Sequence, residues 1–108
     1  MSVLPIDIRP KDWGILRDIL GRQMPGREVW AFGSRARGTA KPFSDLDIAI
    51  VTDAPLPLEE IGALKDALTE SELPFRVDIV DWACTDAAFR KIIEKDRVVV
   101  QSSSTPAN

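Results

Sequence analysis

Hydrophobic residues recur at helical spacing in three stretches of the chain. The first stretch starts at Pro10, a residue suited to the first helical position, and stops at the turn residues 24–26. The second ends near Pro74, and the third has Thr85 as its expected N-cap. The apolar positions of these three predicted helices are Trp13, Leu16, Ile19 and Leu20, then Leu58, Ile61, Leu64, Ala67 and Leu68, and finally Ala88, Phe89, Ile92 and Ile93.

Four shorter stretches have the patterns of strands. Residues 28–32 and 97–101 are short strands, and residues 46–51 are apolar on both faces, which predicts a central strand. Residues 75–81 alternate, with Phe75, Val77 and Ile79 on one face. This order of helices and strands predicts an α/β (α+β) fold. We expect one domain over residues 1–101 and a flexible tail over residues 102–108.

The clearest candidate chemistry lies around the start of the second strand. Gly33 permits close backbone approach to a ligand, and Ser34 offers a hydroxyl and an N–H to a phosphate oxygen. Ten residues separate Ser34 from Asp45. The spacing of Asp45 and Asp47 on a strand places both carboxylates on one face, with Cα atoms roughly 6.6 Å apart. Hard oxygen ligands at that spacing suit Mg²⁺. The alternative is a tight turn, a helix cap and two solvated acids.

A third carboxylate, Asp78, lies in the middle of the third strand. An acid inside a strand of a core sheet is unfavourable unless it is paired or metal-bound. Arg76 lies two residues away on the same face and is a possible structural partner. We expect Asp81, at the strand end, to be a turn or cap residue. Arg35 and Arg37 are candidates for an additional bidentate phosphate contact, and Lys41 is a weaker one.

The chain resembles the DNA polymerase β-like nucleotidyltransferase superfamily, and especially the minimal nucleotidyltransferases, from about Trp30 to Val100. The resemblance is carried by Gly-Ser at 33–34, Ser-Asp-Leu-Asp at 44–47 and Val-Asp-Ile-Val-Asp at 77–81. It implies a small mixed β-sheet flanked by helices. It also implies that Asp78 joins Asp45 and Asp47 as a catalytic metal ligand. One departure is that Lys95-Asp96-Arg97 stands before the last strand, where such relatives commonly have a glycine, and this puts the last turn in question.

The expected reaction is nucleotidyl transfer with release of pyrophosphate. Asp45, Asp47 and Asp78 would hold Mg²⁺, and two ions are expected. The expected substrate is ATP. Ser34 would bind the β- and γ-phosphates of ATP together with the backbone near Gly33 and Arg35. Minimal nucleotidyltransferases that resemble this chain are typically paired with a HEPN-domain ribonuclease toxin. The resemblance therefore implies an antitoxin that transfers AMP to a tyrosine of that partner.

The amino-acid composition excludes several other classes of function. The 108 residues include 14 basic and 17 acidic ones, a net charge of −3 that argues against non-specific nucleic-acid binding. The chain has no histidine, which excludes Ser-His-Asp and Cys-His catalysis and His-ligated zinc. The lone Cys84 makes no intrachain disulfide, and no signal peptide or membrane-spanning run is recognisable. We expect a small cytoplasmic enzyme and leave self-association open.

Two other functions compete with the antitoxin interpretation. A small-molecule nucleotidyltransferase would need a substrate-binding domain, for which the chain has no room. A non-catalytic module would neutralise a partner by occlusion, and the nucleotide would be incidental. Because the chain contains no tyrosine, tyrosine self-modification is excluded, whereas serine and threonine remain possible acceptors.

Overall fold

The computed structural model describes residues 4–103. Its helices are α1 (Pro10–Gln23), α2 (Ser34–Arg37), α3 (Leu58–Glu70) and α4 (Ala87–Asp96), and its strands are β1 (Glu28–Phe32), β2 (Leu46–Val51), β3 (Val77–Asp81) and β4 (Val98–Gln101). A single 3₁₀ turn, Trp82–Cys84, joins β3 to α4. Residues 102 and 103 are exposed and irregular, and the rest of the predicted tail, 104–108, lies outside the described residues.

The strands form one four-stranded mixed sheet in the order β3-β2-β1-β4. Strand β1 is antiparallel to both β2 and β4, whereas β2 and β3 are parallel. The parallel pair needs a crossover, which α3 supplies. The predicted mixed sheet flanked by helices is confirmed, and so is the central position of β2, whose continuous apolar run is buried on both faces.

Alternation along the strands divides the core between the two faces of the sheet. One face packs against α1 and α3 through residues such as Leu16, Leu64 and Ile48, all fully buried. The other face carries a smaller cluster in which Ile93 of α4 contacts the β1 and β2 residues Trp30, Phe32 and Ala49. Because α4 covers only part of this second face, the remainder is free for polar groups.

Two local predictions need correction. The N-cap of α4 is Asp86, not Thr85: its side chain accepts a 2.8 Å hydrogen bond from the amide of Phe89, while Thr85 ends the preceding 3₁₀ turn. Asp86 directly precedes the first turn of α4, and its carboxylate satisfies a free N–H of that turn. The turn between α4 and β4 forms without a glycine. Its residue Arg97 has φ −56° and ψ 137°, a conformation that any residue adopts.

Candidate active site

One end of the sheet brings together residues that the sequence analysis singled out on three different strands. Strand β1 ends at Phe32, which lies opposite Asp47 of the antiparallel strand β2. Asp47 in turn lies beside Asp78 of the parallel strand β3. The end of β1 and the beginnings of β2 and β3 therefore meet, and Gly33, Asp47 and Asp78 follow one another across three neighbouring strands.

Gly33 connects β1 to α2 in a conformation that excludes other residues. Its φ of 81° and ψ of −159° fall in a region that is essentially confined to glycine. A Cβ atom built on Gly33 would lie 2.5 Å from Oδ2 of Asp47, well inside van der Waals contact. Glycine is thus required here both for the turn and for the close approach of the Asp47 carboxylate to the backbone.

Ser34 opens the single turn of α2, with Gly33 as the N-cap, so the serine is not itself the cap residue. The carbonyl of Gly33 accepts from the amides of Ala36 and Arg37, at 3.1 and 3.0 Å. The carbonyl of Ser34 accepts from Gly38 and Thr39. These bonds hold the turn shut, and Ser34 is half-buried at its first helical position, directly after Gly33.

The charges of two neighbouring acids act on Asp47. Burial is the largest cause of a raised pKa at Asp47, and the neighbouring charges of Asp78 and Asp45 raise the pKa further. The guanidinium of Arg37 acts in the opposite direction on that pKa. Asp45 is exposed just before β2, whereas Asp47 is half-buried within the strand. The arrangement concentrates negative charge, which a divalent cation would offset.

The side chain of Asp78 is turned towards Arg76. Both Nε and Nη2 of Arg76 donate to Oδ1 of Asp78, at 3.2 and 3.1 Å. The pKa of Arg76 is raised, chiefly by this hydrogen bond, then by the charge of Asp78 and finally by that of Asp45. Within residues 4–103, no three His, Cys, Asp or Glu side chains stand ready to coordinate one metal ion. The backbone register aligns the acids, but Asp78 would have to leave Arg76 to join a shared site.

The Arg35 side chain does not face this site, which corrects its assignment as a phosphate ligand. It is only 5% exposed, and its guanidinium donates to three backbone carbonyls, those of Ser44, Asp7 and Pro42. The face of the guanidinium lies 4.0 Å from the ring centroid of Phe75. All three nitrogens of this guanidinium are thus committed to the protein's own backbone.

Arg37 remains beside the carboxylates, but it has a partner that sequence reasoning did not find. Its Nη1 lies 2.6 Å from Oδ2 of Asp96, the last residue of α4. Asp96 is 59 positions away in the chain, and no local pattern links the two residues. Lys41 is exposed in the loop before β2, where its amide bonds to the Ser44 hydroxyl at 2.9 Å.

Asp81 has the structural role expected for it. One carboxylate oxygen accepts from the amide of Ala83 at 3.2 Å and caps the 3₁₀ turn. The other accepts from the amide of Leu56 at 2.9 Å and ties the loop before α3 to the end of β3. Asp81 is therefore engaged at the opposite end of β3 from the candidate site.

A Gly-Ser turn apposed to strand-borne carboxylates at one end of a mixed sheet defines a nucleotidyltransferase type of site. The chain belongs to this family: residues 14–105 match the model of the nucleotidyltransferase domain. Over 100 residues it is 47% identical to a Haemophilus influenzae protein named probable protein adenylyltransferase MntA, and the match covers 93% of this chain and 88% of that protein. These similarities establish a transferase family.

Solved structures share the fold. A toxin-antitoxin crystal structure with AMP-PNP is 22% identical, with a TM-score of 0.70 over 85% of this chain and 74% of the matched chain. A complex of a tri-AMPylated Shewanella oneidensis HEPN toxin with an MNT antitoxin is 19% identical, with a TM-score of 0.66 over 88% and 73% of the two chains. At these sequence identities the similarity shows a shared fold and nothing further. No helix in the described part of this chain is both long and apolar enough to cross a bilayer.

Proposed function

We propose that this protein transfers AMP from ATP to a hydroxyl group of a HEPN-domain toxin and thereby acts as its antitoxin. The observation that carries the proposal is the alignment of Asp47 with Asp78 across two parallel strands, directly beside the turn at Gly33. Two similarities support this proposal. The Haemophilus influenzae relative is named as a probable adenylyltransferase, and solved structures with the same fold come from toxin-antitoxin complexes.

Mg²⁺ is the cation that fits these residues. Carboxylate oxygens are its preferred protein ligands. Burial raises the pKa of Asp47, and the charges of Asp78 and Asp45 raise it further, which indicates a site short of positive charge. Asp45, Asp47 and Asp78 would hold the metal, which when bound neutralises charge on the triphosphate. Loading requires Asp78 to exchange Arg76 for the cation, and the exposed position of Arg76 leaves room for that side chain to withdraw.

The chain's own residues orient the nucleotide. The Ser34 hydroxyl and the first amides of α2 would bind the β- and γ-phosphates, so that the α-phosphorus faces the open part of the sheet. The acceptor hydroxyl oxygen forms a bond to the α-phosphorus, and the bond from that phosphorus to the bridging oxygen breaks. Pyrophosphate leaves with that oxygen, and the hydroxyl proton passes to water. Arg37, held by Asp96, places a positive charge beside Asp47.

The proposed acceptor is a tyrosine of the HEPN partner, in cytoplasm shared by the two proteins. The test is to incubate the chain and its proposed HEPN-domain partner with Mg²⁺ and ATP labelled at the α-phosphate. We expect label on the partner with wild-type protein and with Asp66→Asn, a control acid exposed on α3. We expect none with Asp47→Asn or with EDTA.

Occlusion without chemistry is the main competitor. In that case the wild-type protein would form a stable, ribonuclease-inactive complex with an unlabelled partner in the presence of Mg²⁺ and ATP. That result would refute the proposed transfer. Labelling that persists in Asp47→Asn would instead refute the carboxylate assignment.

A further inference from the structure

The loop between Gly38 and β2 carries Asp45, yet it has little support of its own. Residues 41–43 and Asp45 are exposed. Within the loop, the amide of Ser44 bonds to the carbonyl of Lys41 at 3.0 Å, and the Ser44 hydroxyl accepts from the amide of Lys41. A metal ligand at the end of such a segment needs an anchor, because even a small displacement of a ligating oxygen weakens coordination.

The buried side chain of Arg35 donates hydrogen bonds to the backbone of this loop. Nε donates to the carbonyl of Ser44 at 2.9 Å, immediately before Asp45, and Nη2 donates to the carbonyl of Pro42 at 3.1 Å. Nη1 reaches the carbonyl of Asp7 at 2.8 Å, and the amide of Asp7 returns a 2.7 Å bond to the carbonyl of Arg35. Two separate segments, the loop before β2 and the segment around Asp7, are thus tied to one side chain.

Arg35 also connects the loop to the other parts of the site. It lies in α2, directly after Ser34, so its backbone belongs to the phosphate-binding turn. Its guanidinium stacks on Phe75, three residues before Asp78, and the carbonyl of the intervening Arg76 accepts from the amide of Leu46 at 2.9 Å. Displacement of the guanidinium would disturb the turn after β1, the loop before β2 and the segment before β3, which all meet at this end of the sheet.

The chemistry of the arginine suits this task. A guanidinium at 5% exposure is costly to bury unless its donors are satisfied, and here three of its nitrogens bond to carbonyls. Because its donors are fixed in one plane, the guanidinium sets the relative positions of three carbonyls at once. A lysine ammonium is a point charge on a flexible stem and cannot span the same three acceptors.

We propose that Arg35 is a positioning residue that holds Asp45 in register with Ser34 and Asp78 by anchoring the backbone of the loop before β2. The inference rests on the proposed function, because it takes Asp45 as a metal ligand. Arg35 itself touches neither metal nor nucleotide. Its influence on the site passes through the carbonyls of Ser44 and Pro42.

The test compares Arg35→Lys with Arg90→Lys. Arg90 is a matched control: it too bonds to a backbone carbonyl, that of Trp82 at 2.8 Å, and stacks on the Trp82 ring at 4.8 Å, but it lies on α4. Hydrogen exchange in the ligand-free protein should rise in residues 39–46 for Arg35→Lys and stay at the wild-type rate there for Arg90→Lys. Titration with Mn²⁺ and ATP should show affinity about 10- to 100-fold weaker in Arg35→Lys, the range for loss of a residue that orients a metal ligand.

The two readouts separate this inference from the proposed function. If the wild-type protein binds no Mn²⁺ and ATP, the proposed function fails, while the exchange rates of residues 39–46 still decide whether Arg35 anchors the loop. Unchanged exchange there in folded Arg35→Lys overturns the inference, and so does a loosened loop with unchanged Mn²⁺ and ATP affinity. Should Arg35→Lys fail to fold, Phe75→Leu removes the stacking on Arg35 while it keeps an apolar side chain against the core. It should give the same pattern to a smaller extent, and wild-type behaviour in that variant overturns the inference too.

Discussion

Replacement of Gly33 by alanine should damage the active site more than the fold. Alanine at φ 81° and ψ −159° costs of order 1–3 kcal/mol of backbone strain. The new methyl would also lie 2.5 Å from Oδ2 of Asp47, and only the carboxylate end can move away. We therefore expect the free energy of unfolding to fall by about 1–3 kcal/mol, and the Asp47 oxygen to be driven from its place beside α2.

Gly38→Ala provides the matched control for strain without the clash. Gly38 has φ 77° and ψ 22°, and a Cβ built there meets no atom within 4 Å. This left-handed position should cost alanine about 1–2 kcal/mol. Denaturant titration gives the two stability changes, and a thermal scan with and without Mg²⁺ and ATP gives ligand binding.

We expect Gly38→Ala to keep the thermal stabilisation by Mg²⁺ and ATP, and Gly33→Ala to lose it at ligand concentrations that saturate the wild type. The saturating effect is large enough to see, since a ligand at 100 times its Kd adds about 2.7 kcal/mol. If both variants respond to ligand as the wild type does, the close approach of Gly33 to Asp47 has no role in binding and the reasoning from the Cβ contact is wrong.

Two further predictions concern individual side chains. Ser34→Ala should weaken ATP binding, measured by calorimetry, by about 1–2 kcal/mol, as for a hydrogen bond to a charged group, with little change in melting temperature; a steep fall in melting temperature with unchanged affinity would make Ser34 a structural residue. Asp47→Asn should raise the stability of the ligand-free protein at neutral pH. Folding raises the pKa of Asp47, so the contribution of this carboxyl is fully present below its unfolded pKa and is lost as the pH rises through its folded value. Denaturation at neutral and acidic pH should therefore show the advantage of Asp47→Asn shrinking on acidification, and a constant difference would contradict the electrostatic account.

Much of the fold follows from short-range patterns. The bounds of β1 and β2 match the predicted strands, because each is an apolar run between polar turns. Pro10 begins α1 as expected, and α3 ends at Glu70, a few residues before Pro74, its predicted limit. These features depend on neighbours in sequence, which is why the sequence alone predicts them.

The side-chain partners within the site depend on contacts distant in sequence. The pairing of Arg37 with Asp96 needs α4 to cross the sheet, and no residue near either one indicates it. Arg35 has the same charge as Arg37 and lies only two residues before it. Because the two side chains leave the single turn of α2 in different directions, that of Arg35 is buried and donates to the carbonyls of Asp7 and Pro42. A four-residue helix fixes that direction only through the packing around it, including the ring of Phe75.

The central claim is that Asp45, Asp47 and Asp78 act together as one metal and nucleotide site. The most direct measurement is titration of Mn²⁺ in the presence of ATP, with free Mn²⁺ followed by electron paramagnetic resonance, for the wild type, each Asp→Asn variant and the Asp66→Asn control. The account predicts metal binding that depends on ATP in the wild type and in Asp66→Asn, and severe loss in all three site variants, including Asp78→Asn despite its pairing with Arg76 in the ligand-free protein. Wild-type affinity in Asp78→Asn would show that Asp78 is only the partner of Arg76 and would contradict the claim.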